Sequence, residues 1–359
     1  MIAFSWRQFR TQALIGAAGL VVLGVILLVT GPNLVHVYDV AVAQCRASGG
    51  GGGGGGGGCI NPVSTDDGKL QTLALALVLI VPVVIGMFWG APLVARELET
   101  GTFRLAWTQS VSRLRWLLVK LGLVGLASAV VGGLLSLMVS WWFSPIDKVS
   151  ANRFSPAAFG MHGFVPAGYA LFAFALGATT GLLFRRTLPA MAVTLVGFIA
   201  ARVVVAEWIR PHFMSPVSET MRVGQNDGWG ITMSPAGLPS ISVNPPNLPN
   251  ALIVSNDIVN HAGQSPTTSY LEHACSGLPG VNGQPPSGGG GVSHVSLSPG
   301  GQQAFQQCID TISAHFHEVV VYQPANRFWA FQTYETLLFV AASAALAGLC
   351  VWWVRGRLS

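Results

Sequence analysis

Glu97 and Glu99 stand two residues apart in the stretch ARELETGT, residues 95–102, which separates two apolar runs. Only 9% of the 359 residues are charged, so two carboxylates and Arg96 in so short a space call for a reason. A solvated connector explains the nearby Arg113 and Arg115 as topology anchors, but it leaves the paired glutamates unexplained. Carboxylates on a short surface helix suit docking to a basic or polar socket on another protein. Gly101 ends such a helix in a tight turn.

Arg202 and Glu335 are the second candidate pair. Each lies inside an apolar run, Arg202 six residues short of Trp208 and Glu335 eight residues beyond Arg327. At about 1.5 Å per helical residue their depths nearly match. A lone charge near mid-membrane costs roughly 2.5–3.5 kcal/mol or more, so it seeks a partner or water. Arg202 and Glu335 are therefore expected to pair or to face one polar cavity. Glu207 competes for Arg202, and snorkelling of Arg202 to the headgroups is the other reading. Gly177 and Gly181 form a G-x-x-x-G that lets helices approach closely, read as packing within one subunit.

Five cysteines are present. Cys45 and Cys59 flank a run of ten glycines, Gly49 to Gly58, which behaves as flexible coil. Cys275 and Cys308 share a later polar segment, and Cys350 lies in the last apolar run. Two disulfides within loops, one per pair, are expected on an oxidising face, with free thiols as the alternative. Zinc held by Cys275, His273 and Cys308 would need poor ligand spacing. H-E-x-x-H and G-x-S-x-G are both absent from the sequence, which gives a membrane enzyme little support.

The elements that position these groups are membrane helices. Hydrophobic residues make up 51% of the chain, and a soluble protein would carry about 25% charged residues. Six runs approach or exceed the ~20 residues a bilayer core takes: Ala13–Thr30, Leu73–Val94, Leu117–Phe143, Gly163–Phe184, Leu188–Trp208 and Phe328–Val354. Pro82 is expected to kink the second. The first is longer than a signal-peptide core and lacks a clear small-residue cleavage site, so it reads as a retained helix. Residues 1–12, with Phe4, Trp6 and Phe9 among basic residues, read as a helix along the membrane surface.

Arginine and lysine crowd the short segments on one side (Arg7, Arg10, Arg113, Arg115, Arg185, Arg186, Arg355) and thin out over long segments on the other. Both termini and residues 95–116 are therefore expected in the cytoplasm, and the loop 31–72 and the segment 209–327 outside. That last segment, rich in Pro, Gly, Asn and Ser, reads as a loop-rich extracytoplasmic domain with one short helix at GGQQAFQQCIDTISAHF. The basic residues are scattered at span ends, which argues against a nucleic-acid groove. Of the three lysines, Lys69, Lys120 and Lys148, none stands in a G-x-x-x-x-G-K-[ST] frame, so the chain lacks that ATP-binding loop.

The stretch FWGAPLVARELETGTFRLAWTQSVSRLRWLLVK resembles the connector between spans two and three of ABC-2 type transport permeases. The matching elements are Glu97-Leu98-Glu99-Thr100-Gly101-Thr102, then Thr108-Gln109-Ser110-Val111-Ser112-Arg113, then Lys120. Gln109 stands where proline is common, and this with the ending QPANRFWAFQTYE…WWVRGRLS is similar to an actinobacterial branch. The resemblance implies an all-α, six-span, ABCG-like exporter fold. Residues 13–208 would hold spans one to five, 209–327 the outer segment, and 328–359 the sixth span and a cytoplasmic tail. It implies a coupling helix after span two, with Arg96, Glu97, Glu99, Gly101, Thr102 and Arg104 contacting a separate ABC ATP-binding subunit. ATP and magnesium would be held by that subunit, with no cofactor on this chain. It further implies a second permease copy or a paralogue as partner, membrane lipid around it, and a place in the cell membrane. A sensor or assembly protein that binds through its outer segment without transport is the competing reading.

Overall fold

The computed structural model describes residues 2–47, 65–100, 112–147, 153–223, 229–233, 239–243, 248, 250–276 and 299–357. Gly101, Thr102, Arg104, Thr108 to Val111, the glycine run and Cys59 lie outside them. So does the expected Cys45–Cys59 bridge.

Six helical stretches among the described residues are long and apolar enough to cross a membrane: Arg10–Val37, Thr72–Thr100, Leu114–Ser144, Val165–Phe184, Thr187–His212 and Ala325–Gly356. They coincide with the six runs to within a few residues or enclose them. The chain divides into two compact units. The first comprises Met1–Gln44, Asn61–Phe213 and Asn326–Ser359 and holds all six spans.

Helix α1 runs Ile2–Ala47. The surface helix expected at residues 1–12 is not a separate element, because no glycine or proline interrupts the chain between Ile2 and Ala13 and the helix propagates into the span. The expected loop 31–72 is also shorter. Helix α1 continues through Pro32 to Ala47, and α2 (Thr65–Ile85) already covers the loop's end. Trp142 Nε1 donates to Thr30 Oγ1 at 3.0 Å, tying the stretch before Pro32 to helix α4 (Arg113–Asp147).

After Pro82, one wide π turn, Gly86–Gly90, joins α2 to α3 (Ala91–Thr100), with the Ala91 N–H reaching back five residues to the Gly86 carbonyl. A short helix α5 (Pro156–Phe159) precedes α6 (Val165–Phe184). Helix α6 is apolar all round and mostly buried, as a helix at the centre of a bundle must be. It packs against α3, α4, α7 (Thr187–Val204) and the last span. Arg185, with φ at +55°, ends α6 in the left-handed region, so two residues suffice to turn the chain into α7.

Glycine sets the closeness of α6 to the π turn. A Cβ at Gly86 would lie 2.6 Å from the Ala173 carbonyl oxygen, and one at Gly90 2.6 Å from that of Phe174. From the other side, Gly177 faces Gly86, Gly90 and the Ala91 amide, and Gly181 faces the Ala91 carbonyl. The G-x-x-x-G of α6 thus meets a second small-residue pair on the neighbouring span, within one chain.

The second unit comprises Cys45–Ile60 and Met214–Ala325. It corrects the loop-rich expectation for residues 209–327. Strands β1 (Val217–Arg222), β5 (Phe316–Gln323) and β4 (Leu252–Asn260) form an antiparallel sheet in the order β1-β5-β4. The register pairs Val217 with Tyr322 and Leu252 with Gln323, and a bulge falls between Ile253 and Ser255. Strands β2 (Trp229–Met233) and β3 (Pro239–Val243) pair separately. The β-branched run in HEVVVYQ drives the central strand. Helices α8 (Thr268–Ala274) and α9 (Pro299–Ser313) bury Leu271, Ile309 and Ile312, and α9 covers the helix expected there. Cys275 and Cys308 form a disulfide with Cα atoms 4.6 Å apart. The final span is α10 (Phe328–Arg357).

Candidate functional site

Two groups of polar residues sit inside the helical unit, one at the end of α3 and one around Glu335. At the first, Glu97 pairs with Lys120 of α4, whose side chain is 3% exposed against 16% for the glutamate. The Lys120 ammonium also lies 4.9 Å from the Trp116 ring. Glu99 takes a different partner: its Oε2 accepts from Thr187 Oγ1 at 2.9 Å and from the Thr187 N–H at 3.4 Å. The N-cap of α7, Arg186, makes no side-chain cap. Glu99 therefore brings negative charge to the orphaned N–H groups and positive dipole end of a neighbouring helix. The two glutamates tie α3 to α4 and to α7 within this chain. Arg96 and Thr100, with Glu99, remain exposed at the same helix end.

At the second, Glu335 of α10 is fully buried and held by three donor groups from two residues. Arg210 Nε lies 2.8 Å from Oε2 and Arg210 Nη2 3.0 Å from Oε1, a bidentate pair in which both side chains are 1% exposed. The Tyr169 hydroxyl donates to Oε1 as well. The expected direct pair of Arg202 and Glu335 is thus corrected: Arg210 is the partner. Arg202 belongs to the same cluster, but its guanidinium carbon lies 3.8 Å from the centre of the Tyr169 ring, and no carboxylate bonds to it among the described residues. Snorkelling does not describe it either, because the ring it covers belongs to a buried residue of the central helix.

The reason lies in the backbone of the fifth span. In a regular helix, residues eight apart are rotated by about 80° from each other. A π turn, Val205–Ile209, intervenes, with the Arg210 N–H reaching back to the Val205 carbonyl. One extra residue per turn rotates Arg210 back by roughly 100°, onto the face that carries Arg202. Counting depth along the sequence places Arg210 at the interface; the wide turn brings it in. The apolar run of the fifth span contains no sign of this, whereas Tyr169, a phenol inside an apolar run, is a readable signal.

The segment 153–164 closes over this group. Ser155 caps α5 by accepting the Ala158 N–H at 3.3 Å. Ser136 Oγ bonds the carbonyls of Met161 and Gly163, both at 2.9 Å, and Gln332 Nε2 donates to the Phe159 carbonyl at 2.9 Å. Phe154 and Phe159 stack 5.7 Å apart and meet Phe328 edge-on. Phe159 also lies under the Arg210 guanidinium at 4.1 Å. Four side chains from α6, α7 with its wide turn, and α10 thus form a polar knot beneath an aromatic cap. They carry two guanidiniums, one carboxylate and one neutral phenol.

Of the remaining sequence candidates, Cys350 is a buried free thiol bonded to Thr179 Oγ1 at 3.3 Å. Among the described residues, no group of three or more His, Cys, Asp or Glu side chains is placed to hold a metal ion.

A family model described as "ABC-2 membrane transporter related" matches residues 17–210, just over half of the chain. The match runs from the first span to Arg210 and leaves out Glu335. No curated protein and no solved structure matches the chain.

Proposed function

The chain belongs to the ABC-2 membrane transporter related family, and on that premise we propose that this multi-pass membrane permease is the transport subunit of an ATP-driven exporter. ATP and magnesium are bound by a separate ABC ATP-binding subunit, in keeping with the lack of a Walker A loop in this sequence. Two permease copies, or this chain and a paralogue, flank the pathway. Both termini and residues 95–116 face the cytoplasm, where lysine and arginine crowd the short segments. The second unit is extracytoplasmic. The cargo is hydrophobic or amphipathic, and the pathway alternates between inward and outward access.

The observation that carries the reading is the family match over the first five spans. The α3 end supplies a mechanism. Residues 101–111 follow α3 directly, and α3 is locked to α4 by Glu97–Lys120 and to α7 by Glu99–Thr187. A push on that segment from a closing ATPase therefore reaches three spans at once, through two bonds and the glycine contact with α6. Arg96, Glu99, Gly101, Thr102 and Arg104 are the contact residues on this reading. Glu97 transmits rather than touches.

Co-expression with an ABC ATP-binding subunit and reconstitution in proteoliposomes tests the proposal. ATP hydrolysis and cargo movement that both require the two chains support it. Reversing Glu97 to Lys should leave the ATPase bound and hydrolysing while transport falls, and Lys120→Glu in the same chain should restore transport. A permease that never associates with an ABC ATPase would refute it.

A further inference from the structure

The knot around Glu335 is unbalanced. Arg210 satisfies the carboxylate with two nitrogens, and the Tyr169 hydroxyl takes another of its lone pairs. Arg202 is left with a cationic fork and no hydrogen bond or ion pair among the described residues. Its position is built rather than accidental. The ring beneath it is wedged between Phe198 and Phe339, with centroids 6.5 and 4.9 Å away. The chain opposite it is Gly160, where a Cβ would stand 2.9 Å from Nη2 and 3.3 Å from Nη1 of Arg202. Arg202 as a residue is half-buried, and a flat guanidinium held on an aromatic face without a hydrogen bond among the described residues is suited to bidentate contact with a carboxylate or phosphate.

We propose that Arg202 recognises the anionic group, carboxylate or phosphate, of an amphipathic ligand that lies beside Tyr169 and Gly160. This deepens the permease reading by assigning its cargo a charge, and it takes the word cargo from that reading; the binding itself does not depend on it. Glu335 and Arg210 act as the frame, neutralising each other and orienting Tyr169. The surplus charge of the second arginine is what the ligand answers. The source of the anion is either a free amphiphile or a lipid headgroup, and both present the same chemistry to the guanidinium.

The test uses the full chain in nanodiscs of phosphatidylcholine, with the unfolding midpoint followed by tryptophan fluorescence. The probes are dodecyl phosphate and dodecanol. Dodecyl phosphate should raise the midpoint of the unaltered protein by several degrees, as a ligand of the native state does, and dodecanol should not. Arg202→Met should weaken the response by about tenfold in concentration, the loss of a charge-assisted bond, and Arg202→Lys should retain part of it. Gly160→Ala keeps the charge and pushes on the flexible end of Arg202, so it should fold and respond more weakly. It decides the matter if Arg202→Met does not fold. Adding phosphatidylglycerol to the nanodisc separates the sources. If the lipid raises the midpoint in an Arg202-dependent way and blunts the dodecyl phosphate response, the ligand is a headgroup. If the response is unchanged, it is a free amphiphile. Equal responses to both probes, no response, or a full response in Arg202→Met or Gly160→Ala would overturn the proposal. None of those outcomes touches ATPase association, which tests the permease reading separately.

Discussion

At the scale of single residues, the two arginines of the fifth span predict opposite behaviour. Removing one partner of a buried ion pair strands the other, at a cost of about 3–5 kcal/mol. Arg210→Met and Glu335→Gln should each lower stability by amounts of this order, and the double variant should cost less than their sum. Arg202→Met removes a charge that no carboxylate hydrogen-bonds among the described residues, and it should cost far less, or raise the unfolding midpoint. A double-mutant cycle followed by thermal unfolding in detergent checks all three. Additive losses for Arg210 and Glu335 would contradict the pair. In the second unit, Glu318 of β5 is 3% exposed, and Oε1 has no hydrogen-bond partner among the described residues. Burial holds its carboxyl above the ordinary value of 4.5, against a weaker opposing hydrogen bond from Asn256. The folded state therefore keeps a proton that the unfolded state has released. The sheet should lose stability as pH rises from 4.5 through the raised value. Hydrogen exchange of the β5 amides across that range should show the slope, and Glu318→Gln should remove it.

At the scale of elements, the packing of α6 against the π turn rests on absent side chains. Gly90→Ala places a Cβ 2.6 Å from a backbone oxygen that cannot move without shifting the central helix. It should cost about 1–3 kcal/mol, as overpacking does. Gly122 in α4 has no neighbour within 4 Å of its Cβ position among the described residues, so Gly122→Ala should be neutral or stabilising by roughly 0.5–1 kcal/mol. Comparing the two unfolding midpoints separates close packing from helix propensity. The Cys275–Cys308 bridge, with a sequence separation of 33, closes a loop whose chain entropy is worth about 3–4 kcal/mol. Reduction should therefore open α8 and α9 to exchange while leaving the spans unchanged. Legibility in the sequence follows the same physics. A run such as Leu117–Phe143 declares a span by itself, because the bilayer demands about 20 apolar residues and little else. The π turn at Val205–Ile209 leaves no periodic trace, so Arg210 was hidden while Arg202 stood out. Strand β4, with SNDIVN in its sequence, lacks clean alternation. Its pairing depends on β5, more than 50 residues away, and no local pattern announces that.

At the scale of the whole molecule, a six-span chain of this family needs, on the proposed ATP-driven reading, a place where force enters. On that reading the end of α3 is this place, on the side where lysine and arginine crowd the short segments. The resemblance of Glu97 to Thr102 to a coupling connector was legible from residue types alone. What those glutamates bond to was not, because Lys120 and Thr187 are 23 and 88 residues away. The difference alters the expected role: Glu97 links α3 to α4, and on the proposed reading the exposed end with Arg96, Glu99 and Thr100 is the part that meets a partner. Cross-linking measures this directly. With a cysteine at Thr100 and, in a separate variant, at Ser265, the chain is co-expressed with its ABC ATP-binding subunit in intact cells and treated with a bifunctional thiol reagent. The account predicts a cross-link to the ATPase from position 100, protection of that site from a membrane-impermeant label, and labelling without cross-linking at position 265. Labelling of position 100 from outside the cell would contradict it.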